Sequence, residues 1–142
     1  MDDPDKVTFR RHFDDLPDET GGLCAIPKTT WLAMGGDEGV LIFDLKTEKK
    51  VALLKTPVSF PVTELAVSRD GRFLAAGTQR GYGNSWIILW ELGSRNILAQ
   101  HHHACRDLEF SPDNRFLSVA GNQLALWDIS AETGAPRTSR AK

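Results

Sequence analysis

The chain repeats itself. Ser68-Arg69-Asp70-Gly71-Arg72-Phe73-Leu74-Ala75 and Ser111-Pro112-Asp113-Asn114-Arg115-Phe116-Leu117-Ser118 match at an offset of 43 residues, each after a short apolar run, Leu65-Ala66-Val67 or Leu108-Glu109-Phe110. Trp31-Leu32-Ala33-Met34-Gly35 aligns with Phe73-Leu74-Ala75-Ala76-Gly77 at an offset of 42. Three units end alike, in Ile42-Phe43-Asp44-Leu45, Leu89-Trp90-Glu91-Leu92 and Leu126-Trp127-Asp128-Ile129. A unit this short cannot bury its own apolar residues, so successive copies must stack and build the core between them.

Helical spacing is absent from these units. The apolar residues fall in runs of three to six, broken by Gly-Gly-Asp, Arg-Asp-Gly, Leu-Gly-Ser and Pro-Asp-Asn, which are turn compositions. Each unit therefore reads as a small antiparallel meander. The runs are rich in Val, Ile, Phe and Trp, and Trp86 to Trp90 and Val51 to Leu54 are apolar on both alternations. Both faces of each sheet must then be covered, which a four-stranded sheet stacked between two similar sheets achieves; periods of about 40–45 residues are those of propeller blades.

Over roughly residues 22 to 130 the chain resembles the WD40 repeats of the β-propeller family. The residues that carry the likeness are the Ser111-Pro112-Asp113-Asn114 turn, its Ser68 to Gly71 counterpart, the closing Trp127-Asp128, and His101 ten residues before Ser111. Trp90-Glu91 and Phe43-Asp44 stand where the family has its name-giving dipeptide. The resemblance implies an all-β fold of four-stranded blades, three in number and forming an incomplete ring. It also implies a buried network of His, Ser/Thr, Asp and Trp, of which His101 and Trp127 are the members carried over, with Trp90 and Asp128 as further structural positions. The implied strands lie at 23–26, 31–35, 40–45 and 50–55; at 63–68, 73–78, 86–91 and 96–100; and at 105–110, 116–120 and 123–129. The third blade then lacks a fourth strand, and Val7-Thr8-Phe9-Arg10-Arg11-His12-Phe13 is the candidate to supply it. Three blades are too few to close around an axis, so the chain is a partial propeller with an open edge, a fragment of something longer, or one part of an oligomeric ring.

Composition sets the outer bounds. The 142 residues are 41% apolar and 25% charged, which suits one globular domain without staples. Seventeen basic against nineteen acidic side chains leave a net charge of −2, far from the basic excess of a nucleic-acid binder. No apolar run approaches the roughly 20 residues that span a bilayer, and residues 1–20 carry seven acidic side chains where a secretory signal is basic and then apolar. Cys24 and Cys105 are too few for a disulfide framework and suit reduced, buried thiols. The expectation is a cytoplasmic protein with no nucleic-acid or membrane partner. Residues 1–20 form an acidic N-terminal segment, 21–130 the repeats, and 131–142, with Gly134 and Pro136 among basic residues, a flexible basic tail.

Chemistry-bearing clusters are few. His101-His102-His103 is a triplet, but in extended chain alternate side chains point to opposite sides, so at most two could converge on a metal; a connecting loop in which His101 makes a structural hydrogen bond is the simpler assignment. The glycines around Gly35 and Gly81 precede strand-like runs and not a helix, which is the wrong context for phosphate binding. Cys24 and Cys105 lie on inferred inner strands, where a core role outweighs a nucleophilic one, and acid pairs such as Asp37-Glu38 are solvated turn charges. No cofactor, metal or catalytic residue is expected. The connection Gln79-Arg80-Gly81-Tyr82-Gly83-Asn84-Ser85 is longer than its Gly121-Asn122 counterpart. In the resembled family it would share one face with the loop after the second unit, placing Arg80, Tyr82 and Asn84 beside His102 and His103. Arg and Tyr are enriched at binding hot spots, so this face is either a protein-binding surface or a tolerated insertion. The expected function is non-catalytic: a protein-interaction or assembly scaffold, binding through this face or through its open edges. The alternatives are self-association that completes a ring, and a small metal-dependent enzyme built on the His cluster.

Overall fold

The computed structural model describes residues 21–57, 61–79, 85–121, 123–129 and 137–140. Among them are twelve strands and no helix. The first sheet holds β1 (Leu23–Ala25), β2 (Trp31–Gly35), β3 (Gly39–Asp44) and β4 (Lys49–Lys55). The second holds β5 (Val62–Val67), β6 (Phe73–Gln79), β7 (Ser85–Glu91) and β8 (Asn96–His102). The third holds β9 (Asp107–Phe110), β10 (Phe116–Ala120), β11 (Leu124–Asp128) and β12 (Arg137–Arg140). Each sheet is an antiparallel meander whose spatial order follows the chain. The innermost strands line up: β5 lies against β1 on one side and β9 on the other, and the three sheets do not close into a ring.

The turns explain why the units repeat. Lys28, Gly71 and Asn114, spaced 43 residues apart, all have a left-handed backbone, with φ of 65°, 74° and 62°. Gly takes that conformation without penalty and Asn tolerates it, whereas Lys28 takes it at some steric cost. In the second and third units the same side chains close the turn. Ser68 Oγ donates to Asp70 Oδ1 at 2.6 Å and accepts from the Phe73 N–H, while Asp70 accepts from the Arg72 N–H. Ser111 Oγ donates to Asp113 Oδ1 at 2.5 Å and accepts from the Phe116 N–H, with Asp113 accepting from the Arg115 N–H. Arg72 and Arg115 then each lie 4.9 Å over the following phenylalanine ring. The two turns also touch, since the Asp70 N–H donates to Asn114 Oδ1 at 3.2 Å.

Packing follows the double-sided patterning. Ala33, Val40, Ile42 and Leu54 of the first sheet meet Leu74, Ala76, Ile88 and Trp90 of the second. On the other side of that sheet, Ala75, Ile87 and Leu89 meet Leu108, Leu117, Val119 and Trp127 of the third. Trp90 and Trp127 are essentially inaccessible to water, and full burial of side chains this large contributes about 1.5–3 kcal/mol or more each. Gly77 marks a close approach: a Cβ there would fall 2.6 Å from Cys105 Sγ, so only glycine lets β6 pass β9.

Two expectations need correction. His101 and His102 are not in a loop but end strand β8, opposite Ile87 and Trp86, because β7 runs back to Ser85 and offers their backbones partners. The third sheet does acquire a fourth strand from the residues that follow it. Arg137–Arg140, within the segment expected to be a tail, pairs with β11 along Asp128 to Ala125. The candidate closing strand Val7–Phe13 lies outside the described residues.

Candidate functional site

The end of the stack that carries the β6–β7 and β8–β9 connections is the candidate interaction face. Gln79 pairs with Ser85 at the base of the longer connection, and the His103 N–H donates to the Ser85 carbonyl at 3.0 Å. The backbone thus brings His102 and His103 to the foot of the 80–84 segment. His102 is exposed and meets Trp86 edge-on at 5.3 Å, while the half-buried His103 sets Nδ1 2.6 Å from the Ala104 carbonyl oxygen. Arg80, Tyr82 and Asn84 lie outside the described residues. The corresponding turn of the first sheet lies at the same end, tied down by Gly36 N–H to Gly39 O and Val62 N–H to Gly36 O. Among the described residues no group of three His, Cys, Asp or Glu side chains converges as a metal site, and no helix is long and apolar enough to cross a membrane.

A cluster that sequence reasoning missed sits near the inner strands at this end. Cys105 packs between the backbone of Gly77 and the side chain of Glu64. Burial pushes the Cys105 thiol up to about 12, and the neighbouring Glu64 and Asp107 carboxylates push in the same direction. A thiol held protonated in this way is a packing group and not a nucleophile at neutral pH. Burial also raises the Glu64 carboxyl above its ordinary range, with a further contribution from Asp107. These residues belong to different units, and nothing in their local sequence signals the meeting.

The family profile described as "WD domain, G-beta repeat" matches residues 94–128, which run from the turn before β8 to the end of β11. The chain carries a WD40 repeat over these residues. The WD repeat-containing protein SL1-17 of Schistosoma mansoni is 32% identical over 120 residues, a match covering 82% of this chain and 39% of that protein. Cilia- and flagella-associated protein 52 of Chlamydomonas reinhardtii is 40% identical over 79 residues, covering 49% of this chain and 13% of that protein. The β-propeller domain of Cps50 (Swd1) from Myceliophteria thermophila superposes with a TM-score of 0.70 at 25% identity, over 85% of this chain and 38% of that one. The chain thus spans well under half the length of these relatives.

Within the WD40 frame, the residues named for the buried network occupy distinct places. His101 projects toward the third sheet and meets Trp127 edge-on, with ring centroids 5.3 Å apart. The Trp127 Nε1–H is buried with no hydrogen-bond partner, so the contact between these two rings is one of packing. Thr78 Oγ1 is likewise buried and unpartnered. An unmade bond of this kind costs about 1–3 kcal/mol, a weakness that the surrounding apolar packing must offset. Trp90 fills the equivalent place between the first and second sheets, and Asp128 faces Arg115 at 3.7 Å.

Proposed function

We propose that this chain is a non-catalytic protein-interaction module that binds through the loop end holding residues 80–84, His102 and His103. The observation that carries this reading is the join between Ser85 and His103, which fixes the foot of the longer connection against the next one. The sequence between Gln79 and Ser85 contains Arg80, Tyr82 and Asn84, residue types that bring large amphipathic area and several donors, the composition of a hot spot. The likeness to WD40 repeats supports the same reading. The partner is a protein, and the free thiols of Cys24 and Cys105 suit a reducing, cytoplasmic setting.

Ring completion by self-association is the weaker reading. It requires the outer face of the first sheet to meet that of the third, and the third sets the carboxylates of Asp107 and Glu109 there beside Phe116 and Leu126. The test is capture of partners by the immobilised chain, compared with the variant Arg80→Ala/Tyr82→Ala/Asn84→Ala. We expect the variant to lose stoichiometric partners and to melt at an unchanged temperature. Partners retained at equal yield would overturn the proposal.

A further inference from the structure

Among the described strands six lie at sheet edges: β1, β5 and β9 on the inner side, and β4, β8 and β12 on the outer. An edge strand presents unpaired backbone N–H and C=O groups, and proteins blunt such edges with shortness, charge or proline. β1 has only three residues. β4 carries Lys49, Lys50 and Lys55, β5 carries Glu64, β9 carries Asp107 and Glu109, and β12 carries Arg137 and Arg140. Of these edges β8 alone has no such device, because its seven residues, Asn96-Ile97-Leu98-Ala99-Gln100-His101-His102, include no Lys, Arg, Asp, Glu or Pro. It is uncovered as well: Asn96, Gln100, His101 and His102 are exposed, and Ile97 is 41% exposed. The pairing with β7 says which of its backbone groups are free. The His103 N–H bonds the Ser85 carbonyl, and antiparallel strands exchange bonds at every second residue pair, so His101 and Ala99 also bond β7, at Ile87 and Leu89. The N–H and C=O groups of Gln100 and His102 therefore point away from the sheet. The register shift falls between Ile97 and Ala99, which leaves Ala99 to His102 as a regular stretch.

We infer that β8 is a self-association edge, which pairs antiparallel with β8 of a second copy of this chain about a two-fold axis at His101. In that register Gln100 of each copy lies opposite His102 of the other, so every free N–H of the regular stretch meets a free carbonyl. A second copy is the occupant because this edge is complementary to itself. Two-fold pairing of β8 sets no like charges against each other, whereas the same pairing of β4 would oppose lysines and that of β12 arginines. An isologous contact of this kind also closes on itself and leaves no unprotected outer edge to extend. The contact joins edges and not faces, so it is independent of ring completion through the outer faces of the first and third sheets. It adjoins the loop end at His102 without depending on residues 80–84.

Two measurements on the full chain test this. The first is the mass by light scattering and sedimentation at concentrations up to roughly 1 mM, since a contact confined to one strand is weak. We expect the mass to double with concentration. Gln100→Pro, which removes only an outward N–H, and Gln100→Lys, which charges the edge, should each raise the dissociation constant about tenfold or more with an unchanged circular dichroism spectrum. Leu53→Lys, on the outer face of the first sheet, should leave it unchanged. If the proline variant unfolds, the lysine variant decides. The second measurement uses a nitroxide on Gln100→Cys in a Cys24→Ser background, with Cys105 buried. The register sets the two labelled positions on a diagonal, about 7–8 Å apart, so the spectrum should broaden as the dimer forms and sharpen on mixing with excess unlabelled chain. A chain that stays monomeric throughout overturns the inference. So does a doubling that survives the Gln100 variants or is lost with Leu53→Lys, and so does a labelled dimer whose spectrum stays sharp.

Discussion

The two outer faces of the stack differ although the sheets behind them are built alike. The first sheet turns Leu32, Met34, Leu41 and Phe43 outward and keeps three of them nearly dry, whereas the third mixes Asp107, Glu109, Ser118 and Asp128 with half-buried Phe116, Ala120 and Leu126 and leaves Leu124 45% exposed. Stacked repeats need a polar surface at each end to stay soluble. The third sheet meets that requirement in part, by setting four polar side chains among its apolar ones. The first does not, since its outward rows are apolar, so the inward faces of both sheets follow one rule while their outward faces differ.

The comparison can be broken first at its interior reference points. Trp90→Ala and Trp127→Ala should each cost about 3–5 kcal/mol in urea unfolding, because each opens a cavity between two sheets. If one tryptophan proves nearly neutral, the two interfaces are not equivalent and the stack is looser than its burial indicates. On the outer faces, Leu41→Ala should cost about 2–3 kcal/mol and Leu124→Ala no more than about 0.5 kcal/mol. Equal costs would remove the asymmetry between the ends. His101→Ala should lose about 0.5–1.5 kcal/mol, the worth of an edge-on ring contact, and the same change made beside Trp127→Ala should add less.

The smallest effect is a pH dependence. Glu64 has its carboxyl raised by burial and by Asp107, so between its ordinary value of 4.5 and the raised one the folded chain binds more proton than the unfolded chain. Stability from this group therefore falls as pH rises through that window. Glu64→Gln should be slightly more stable than the unaltered chain at neutral pH, a gain limited by solvent screening of a half-buried group, and indistinguishable from it well below 4.5. Paired urea melts at the two pH values read the sign. A loss at neutral pH instead would mean that Glu64 is held charged.

Much of this arrangement was legible in the residues. Turn chemistry identified the second and third units, because Ser68-Arg69-Asp70-Gly71 and Ser111-Pro112-Asp113-Asn114 use side chains that bond their own backbone wherever they occur. The first unit's turn was harder to see, since Lys28 takes the left-handed backbone with no side-chain signature. Strand β12 escaped notice because Arg-Thr-Ser-Arg has no apolar period; its pairing with β11 is a matter of backbone hydrogen bonds, to which composition is nearly blind. On the candidate face, the extra length of the 79–85 connection was plain, but the Ser85–His103 bond that anchors it was not.

The sequence by itself determined the repeat, the strand character of each unit and the need for sheets covered on both sides, because these follow from side-chain chemistry over a few neighbouring positions. Tertiary structure alone decided that Glu64, Cys105 and Asp107 meet, that Asn114 reaches the turn at Asp70, and that Met34, Leu41 and Phe43 are nearly dry while Leu124 is not. Those outcomes depend on which distant strands lie side by side. Alternation along a strand says which side chains share a face, but only packing says what that face meets.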